Sequence, residues 1–181
     1  MKLIKQLAFL MIVALATSSC DLLNVDVDTE FGGTLGITVD DNLAKASEDF
    51  PYPFNESTDL DPGSEEVNEY KDNIVGAEVG TITARIVDIV PDVEVMIEEG
   101  ATLSVTGSDG VIHEWTLPEN WAIVRGETRI IENQGTFYED LSTILEDIEM
   151  FEIRLKGNSS QNDVYFEIYF NIEATVTGSV F

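Results

Sequence analysis

Val164-Tyr165-Phe166-Glu167-Ile168-Tyr169-Phe170-Asn171-Ile172-Glu173-Ala174-Thr175-Val176 is the stretch that decides the fold. Every even position is apolar, and every odd position is polar or a tyrosine. Successive side chains of a strand point to opposite faces, so this run has one buried face and one wet face. Its unbroken length fits a strand at the centre of a sheet. Just upstream, Phe151, Ile153 and Leu155 alternate with Glu152, Arg154 and Lys156. Gly157 to Asp163 is expected to connect the two strands as a loop.

Working outward, the same period recurs. Leu23, Val25 and Val27 alternate with Asn24, Asp26 and Asp28, and Leu35, Ile37 and Val39 alternate again after Gly32-Gly33. A glycine pair between alternating runs predicts a hairpin turn. Between residues 74 and 90 the apolar phase switches: Val75, Ala77 and Val79 share one face, and Ile82, Ala84 and Ile86 the other. One extra residue in a strand reverses its alternation, so a bulge is predicted at Gly80. Further strands are expected at 92–97, 101–106, 111–117, 121–124 and 127–131. Residues 40–63 hold Pro51, Pro53 and Pro62 among many acids and read as an irregular acidic loop, with a short strand around Tyr52 and Phe54. A helical turn is expected after Ser64. One helix is expected near 137–147: Phe137, Leu141, Ile144, Leu145 and Ile148 recur at helical spacing, and Thr136 with Glu139 matches a capping box. The predicted class is mainly β, an antiparallel β-sandwich of immunoglobulin-like or jelly-roll-like type with one short helix.

The chain has 181 residues, 9 of them basic and 35 acidic, for a net charge of −26. Such a charge repels phosphate backbones, so no nucleic acid partner is expected. The hydrophobic fraction of 44% supports a folded core rather than disorder. Cys20 is the single cysteine. A disulfide within the chain and a cysteine cluster for metal are therefore excluded.

Cys20 also carries the address. Lys2 and Lys5 form a basic start, Leu7 to Ala16 an apolar run, and Thr17, Ser18 and Ser19 a small-residue approach to the cysteine. That order describes a lipoprotein signal over residues 1–19, cleaved before Cys20. The apolar run is too short for a spanning helix, which needs ~20 residues. Residues 20–181 then form one domain, with diacylglyceryl on Cys20 as its membrane anchor. Removing Lys2 and Lys5 takes the charge from −26 to −28.

The run Ser18-Ser19-Cys20-Asp21 resembles lipoproteins of the Bacteroidota. The wider pattern, from Tyr70-Lys71-Asp72-Asn73-Ile74 through the helix near 137–147 to the closing strands, resembles uncharacterised Bacteroidota-type lipoproteins with a β-sandwich domain. The resemblance implies an envelope location, with outer-membrane attachment and either face open. It brings no activity and no site residues.

Candidate chemistry is sparse. His113 is the only histidine, and it sits in a predicted strand with no nucleophile-elbow serine, so a packed histidine is expected rather than a catalytic one. Glu114 beside Trp115 and Trp121 has the composition of a sugar surface, against the alternative of core tryptophans. Asp59, Asp61, Glu65 and Glu66 offer hard oxygens for Ca²⁺, against the alternative of a solvated loop. Asp26, Asp28 and Glu30 with Asp40 and Asp41 form a weaker acidic patch. Asn55 and Asn158 begin N-x-S sequons, which suggest exposed loops. The glycines from Gly76 to Gly80 lack the lysine of a phosphate loop. The expectation is a lipid-anchored, non-enzymatic envelope protein that meets the membrane through its anchor and binds an envelope protein partner. It needs no cofactor. A carbohydrate- or calcium-binding surface module is the alternative.

Overall fold

The structure is a computed structural model and describes residues 24–40, 52–63, 67, 71–147 and 149–179. Two antiparallel sheets face each other across one apolar core. The strands are β1 (Asn24–Val39), β2 (Tyr52–Leu60), β3 (Ile74–Val90), β4 (Val95–Ile97), β5 (Thr102–Thr106), β6 (Ile112–Thr116), β7 (Trp121–Ile123), β8 (Thr128–Ile130), β9 (Phe151–Ser159) and β10 (Val164–Ser179). The helix α1 spans Phe137–Glu146. The first sheet has the order β1-β10-β3-β8. The second has the order β6-β5-β9-β4-β7, with β2 added along β9. The fold is therefore the β-sandwich that the alternation predicts.

β10 lies between β1 and β3, and Val164 through Val176 bury every second side chain. The facing sheet packs against this one through aromatic pairs: Phe54 of β2 meets Phe166 of β10, and Phe151 of β9 meets Phe31 of β1, each edge to face at 6.2 Å. The β3 phase switch occurs where expected. Glu173 pairs with Thr81 and Ala174 with Val79, which leaves Gly80 as the bulge. A second bulge at Val87 restores inward pointing for Ile89, and a third falls at Val75.

Three expectations about the strands are corrected. Gly32-Gly33 makes no turn: β1 is one continuous strand that pairs with β10 from Asn24 to Val39. The glycines are there for space. A Cβ on Gly33 would overlap Leu60 of β2, and a Cβ on Gly36 would sit 2.8 Å from the Tyr165 hydroxyl. Second, the segment read as an irregular loop at 40–63 contains β2, which pairs with β9 over nine residues. Proline breaks central strands but is tolerated at an edge, and β2 pairs with no strand but β9 among the described residues, so Pro53 is accommodated. Third, Gly157 to Asp163 is not all loop. β9 continues to Ser159, and the chain then crosses to the other sheet.

The helix closes the open side of the sandwich. β8 covers only Thr83 to Arg85 of the outer edge of β3. Beyond it, Val79 N donates to Ser142 Oγ at 2.9 Å and Ile82 N to the Tyr138 hydroxyl at 3.3 Å. Two side chains one helical turn apart thus stand in for a missing strand. The predicted capping box does not form. Thr136 makes no capping bond; its hydroxyl donates to Asp140 instead, and Asn133 Oδ1 accepts from Tyr138 N. Ile148 lies outside the described residues.

Candidate functional site

Cys20, Asp41, Glu65 and Glu66 lie outside the described residues. Asp59 is exposed on β2 with Glu152 of β9 directly opposite. Asp61 turns back on its own chain, where its Oδ1 accepts from Gly63 N at 2.8 Å. Among the described residues no group of three or more His, Cys, Asp and Glu is placed to hold a metal ion.

The sugar-surface reading of the tryptophans fails on burial. Trp115 and Trp121 are 3% and 7% exposed, and Trp115 Nε1 donates to Glu132 O at 2.8 Å. Neither ring offers a free face. Glu114 points outward, away from both. His113 points inward from β6, and its Nδ1 lies 3.1 Å from Asp140 Oδ2 on α1. Their niche of about 160 Å³ also involves Ser108, Asp109, Thr143 and Asp147. The pair ties the helix to the second sheet.

The outer face of the first sheet has two zones. Toward the start of β1, Asp26 and Asp28 accept from Thr177 and Thr175 hydroxyls at 2.8 Å, and Glu30 sits opposite Glu173. A depression of about 520 Å³ opens there over the Gly80 bulge. Toward the end of β1, Tyr169 and Tyr165 lie over Gly32 and Gly36, and Arg85 stands 5.8 Å from the Tyr169 ring. The Tyr165 hydroxyl donates to Glu167 at 2.5 Å, and that bond raises its pKa. The expected acidic patch is thus present for Asp26, Asp28 and Glu30, whereas Asp40 lies beyond the opposite end of β1.

The outer face of the second sheet is different in kind. Direct pairing lines up Asn55, Lys156, Thr102 and Thr116 across β2, β9, β5 and β6. The next row is Ser57, Arg154, Ser104 and Glu114. A depression of about 530 Å³ opens on Pro53, Asn55, Thr102, Lys156 and Asn158, with Gly100 leaving one side of it low. Both sequon asparagines therefore belong to strands of one face, not to loops. The sequence reading noted the outward Arg154 and Lys156 but missed this surface. Its only signal there was the polar phase of β9, and the other rows come from strands whose pairing sequence does not reveal.

The fold and its surfaces define a β-sandwich protein with an acidic face on one sheet and a hydroxyl- and amide-rich face on the other. No family model matches the chain, and no curated protein matches it in sequence. Among solved structures it is similar to the decameric BFDV capsid protein, at 9% identity and a TM-score of 0.41, over 85% of this chain and 99% of that one. It is also similar to the semi-empty virus-like particle of the giant freshwater prawn Macrobrachium rosenbergii nodavirus. There the identity is 6% and the TM-score 0.37, over 89% of this chain and 96% of that one. Likeness of this degree says nothing about function.

Proposed function

We propose that this chain is a lipid-anchored protein of the cell envelope with a non-enzymatic, structural or protein-binding role. The observation that carries the reading is Cys20 at the end of a signal-like segment, with only Asp21, Leu22 and Leu23 before β1. Four extended residues reach about 14 Å at most, so a lipid on Cys20 holds the start of β1 close to the bilayer. The acids at that end, Asp26, Asp28, Glu30 and Glu173, then face anionic headgroups and favour an upright sandwich. Anchoring raises the local concentration of the outward surface for a partner in the same membrane. Among the described residues no helix is long and apolar enough to cross a membrane.

The test is metabolic labelling with a palmitate analogue and mass analysis of the mature N-terminal peptide. The expected result is a diacylglyceryl-modified Cys20 as the first residue, membrane fractionation of the native chain, and release of Cys20→Ser. An unmodified thiol in the mature chain would overturn the anchor.

A further inference from the structure

We infer that the depression on the outer face of the second sheet is a binding site for a carbohydrate bearing a carboxylate, a uronic acid residue. The inference does not depend on the anchor. It rests on which polar groups are gathered there and which of them are already engaged.

Lys156 is exposed on β9, between Asn55 of β2 and Thr102 of β5. Its ammonium makes no ion pair among the described residues. Arg154, on the same face, is committed: it bonds Glu152 through Nε and Nη2 and donates from Nη1 to Asn55 Oδ1 at 3.3 Å. That contact takes the acceptor of the Asn55 amide and leaves its NH₂ group to donate outward. The side chains of Asn158 and Thr102 are unengaged among the described residues and line the same depression. Several uncommitted donors thus line one depression.

The mixture selects the ligand class. Asn158 and Thr102 both donate and accept, which matches sugar hydroxyls, since these do the same. Lys156 only donates and is charged, so it calls for an anionic group. The ring of Pro53 supplies an apolar wall. Gly100, with open space where a Cβ would stand, leaves that side of the depression low, and the volume of about 530 Å³ lies in the range of small-ligand sites. The net charge of −26 opposes the approach of an anion. Beyond about 8 Å that field is screened at physiological salt, and Glu152, the acid nearest along β9, is already paired with Arg154. Glu98 and Glu99 follow β4 beside the site, where Glu98 N donates to Asn158 O at 3.0 Å, and of this turn only Gly100 lines the depression. The depression also lies toward the end of the sandwich where β1 finishes, since β9 ends at Ser159 and β10 begins opposite Val39. A site at that end faces away from an anchor at the start of β1.

The test is calorimetric titration of the full chain in detergent with digalacturonate, with the neutral digalactose and with acetate as comparison probes. Saturable binding of digalacturonate is expected, weaker binding of digalactose, and none of acetate. In Lys156→Gln the digalacturonate affinity should fall about tenfold or more, the loss expected of a charge-assisted hydrogen bond. Asn158→Ala should weaken both sugars alike. Both residues are at the surface, and an unchanged melting temperature certifies the fold of each variant. No saturable binding of digalacturonate overturns the inference, as does equal affinity in Lys156→Gln. Equal binding of acetate, or tight binding of an acidic peptide without binding of the sugar, assigns the site to another ligand class and overturns it too.

Discussion

At the residue scale, the most consequential side chains are Ser142 and Tyr138, because they satisfy strand amides. Among the described residues Val79 N and Ile82 N have no strand partner on that edge, and they bond these two hydroxyls instead. Leaving a buried amide unpaired costs about 1–3 kcal/mol, so Ser142→Ala should lower the unfolding free energy by that order in denaturant titration. Ser142→Thr keeps the hydroxyl and should recover part of the loss. Tyr138 carries a second signature. Burial raises its pKa above 10.0, the amide of Ile82 opposes that shift, and Glu132 adds to it. The unfolded chain then releases this proton at lower pH than the folded one. The contribution is fully present below the unfolded value of 10.0 and is lost as pH rises through the higher folded value. Melting temperatures followed from about pH 9 to about pH 11.5 should fall more steeply in the native protein than in Tyr138→Phe. Equal slopes would show that the phenol is not the group responsible.

At the scale of elements, β1 and β2 meet where one sheet gives its edge to the other. Gly33 makes that meeting close, because a Cβ there has no room beside Leu60. Gly33→Ala should cost about 1–3 kcal/mol by overpacking. Leu60→Val shortens the opposing side chain, so the double variant should be less destabilised than the sum of the singles, a coupling that a denaturant-based double-mutant cycle measures. The same glycines show what the sequence reveals and what it hides. Phe31, Leu35, Ile37 and Val39 keep the phase of Val25 and Val27, which is the mark of a continuous strand. Turn chemistry read locally outweighed that phase, because the need for space at Gly33 comes from Leu60, outside β1. The Gly80 bulge was legible, since a reversed phase within one strand has a local cause. So was the stripe of α1, though the partner of the Tyr138 amide, Asn133, comes from before the turn rather than from Thr136. β2 was legible only as a short strand inside a loop, because its proline and acids suit an edge and an edge exists only once the sheet is assembled. The second-sheet depression was not legible at all. Asn55 and Lys156 meet across a strand pairing between residues far apart in the chain, and alternation states which face a residue takes but not which strand lies beside it.

At the scale of the whole molecule, charge is the dominant unbalanced quantity. The acids are not kept apart by the fold: Glu30 faces Glu173, Asp88 faces Glu167 and Asp59 faces Glu152 across adjacent strands. Two of these pairs have a local remedy. Asp88 is bridged to Arg125 at 2.6 Å and Glu152 to Arg154 at 3.1 Å. Glu30 and Glu173 have no basic partner among the described ion pairs. Directly opposed like charges on a sheet cost about 0.2–1 kcal/mol. Salt screens such pairs together with the diffuse repulsion of a net −26 charge. The melting temperature of the native protein should therefore rise as monovalent salt is added from low ionic strength, the opposite of a fold held by surface ion pairs. Glu173→Lys turns the repulsive pair into an attractive one. It should raise the melting temperature at low salt and flatten its rise with added salt. Asp88→Asn removes an acid whose repulsion from Glu167 is offset by Arg125, so its own effect should be smaller. A flat salt response in the native protein, or an identical slope in Glu173→Lys, would mean that the acids are too well hydrated for their crowding to govern stability.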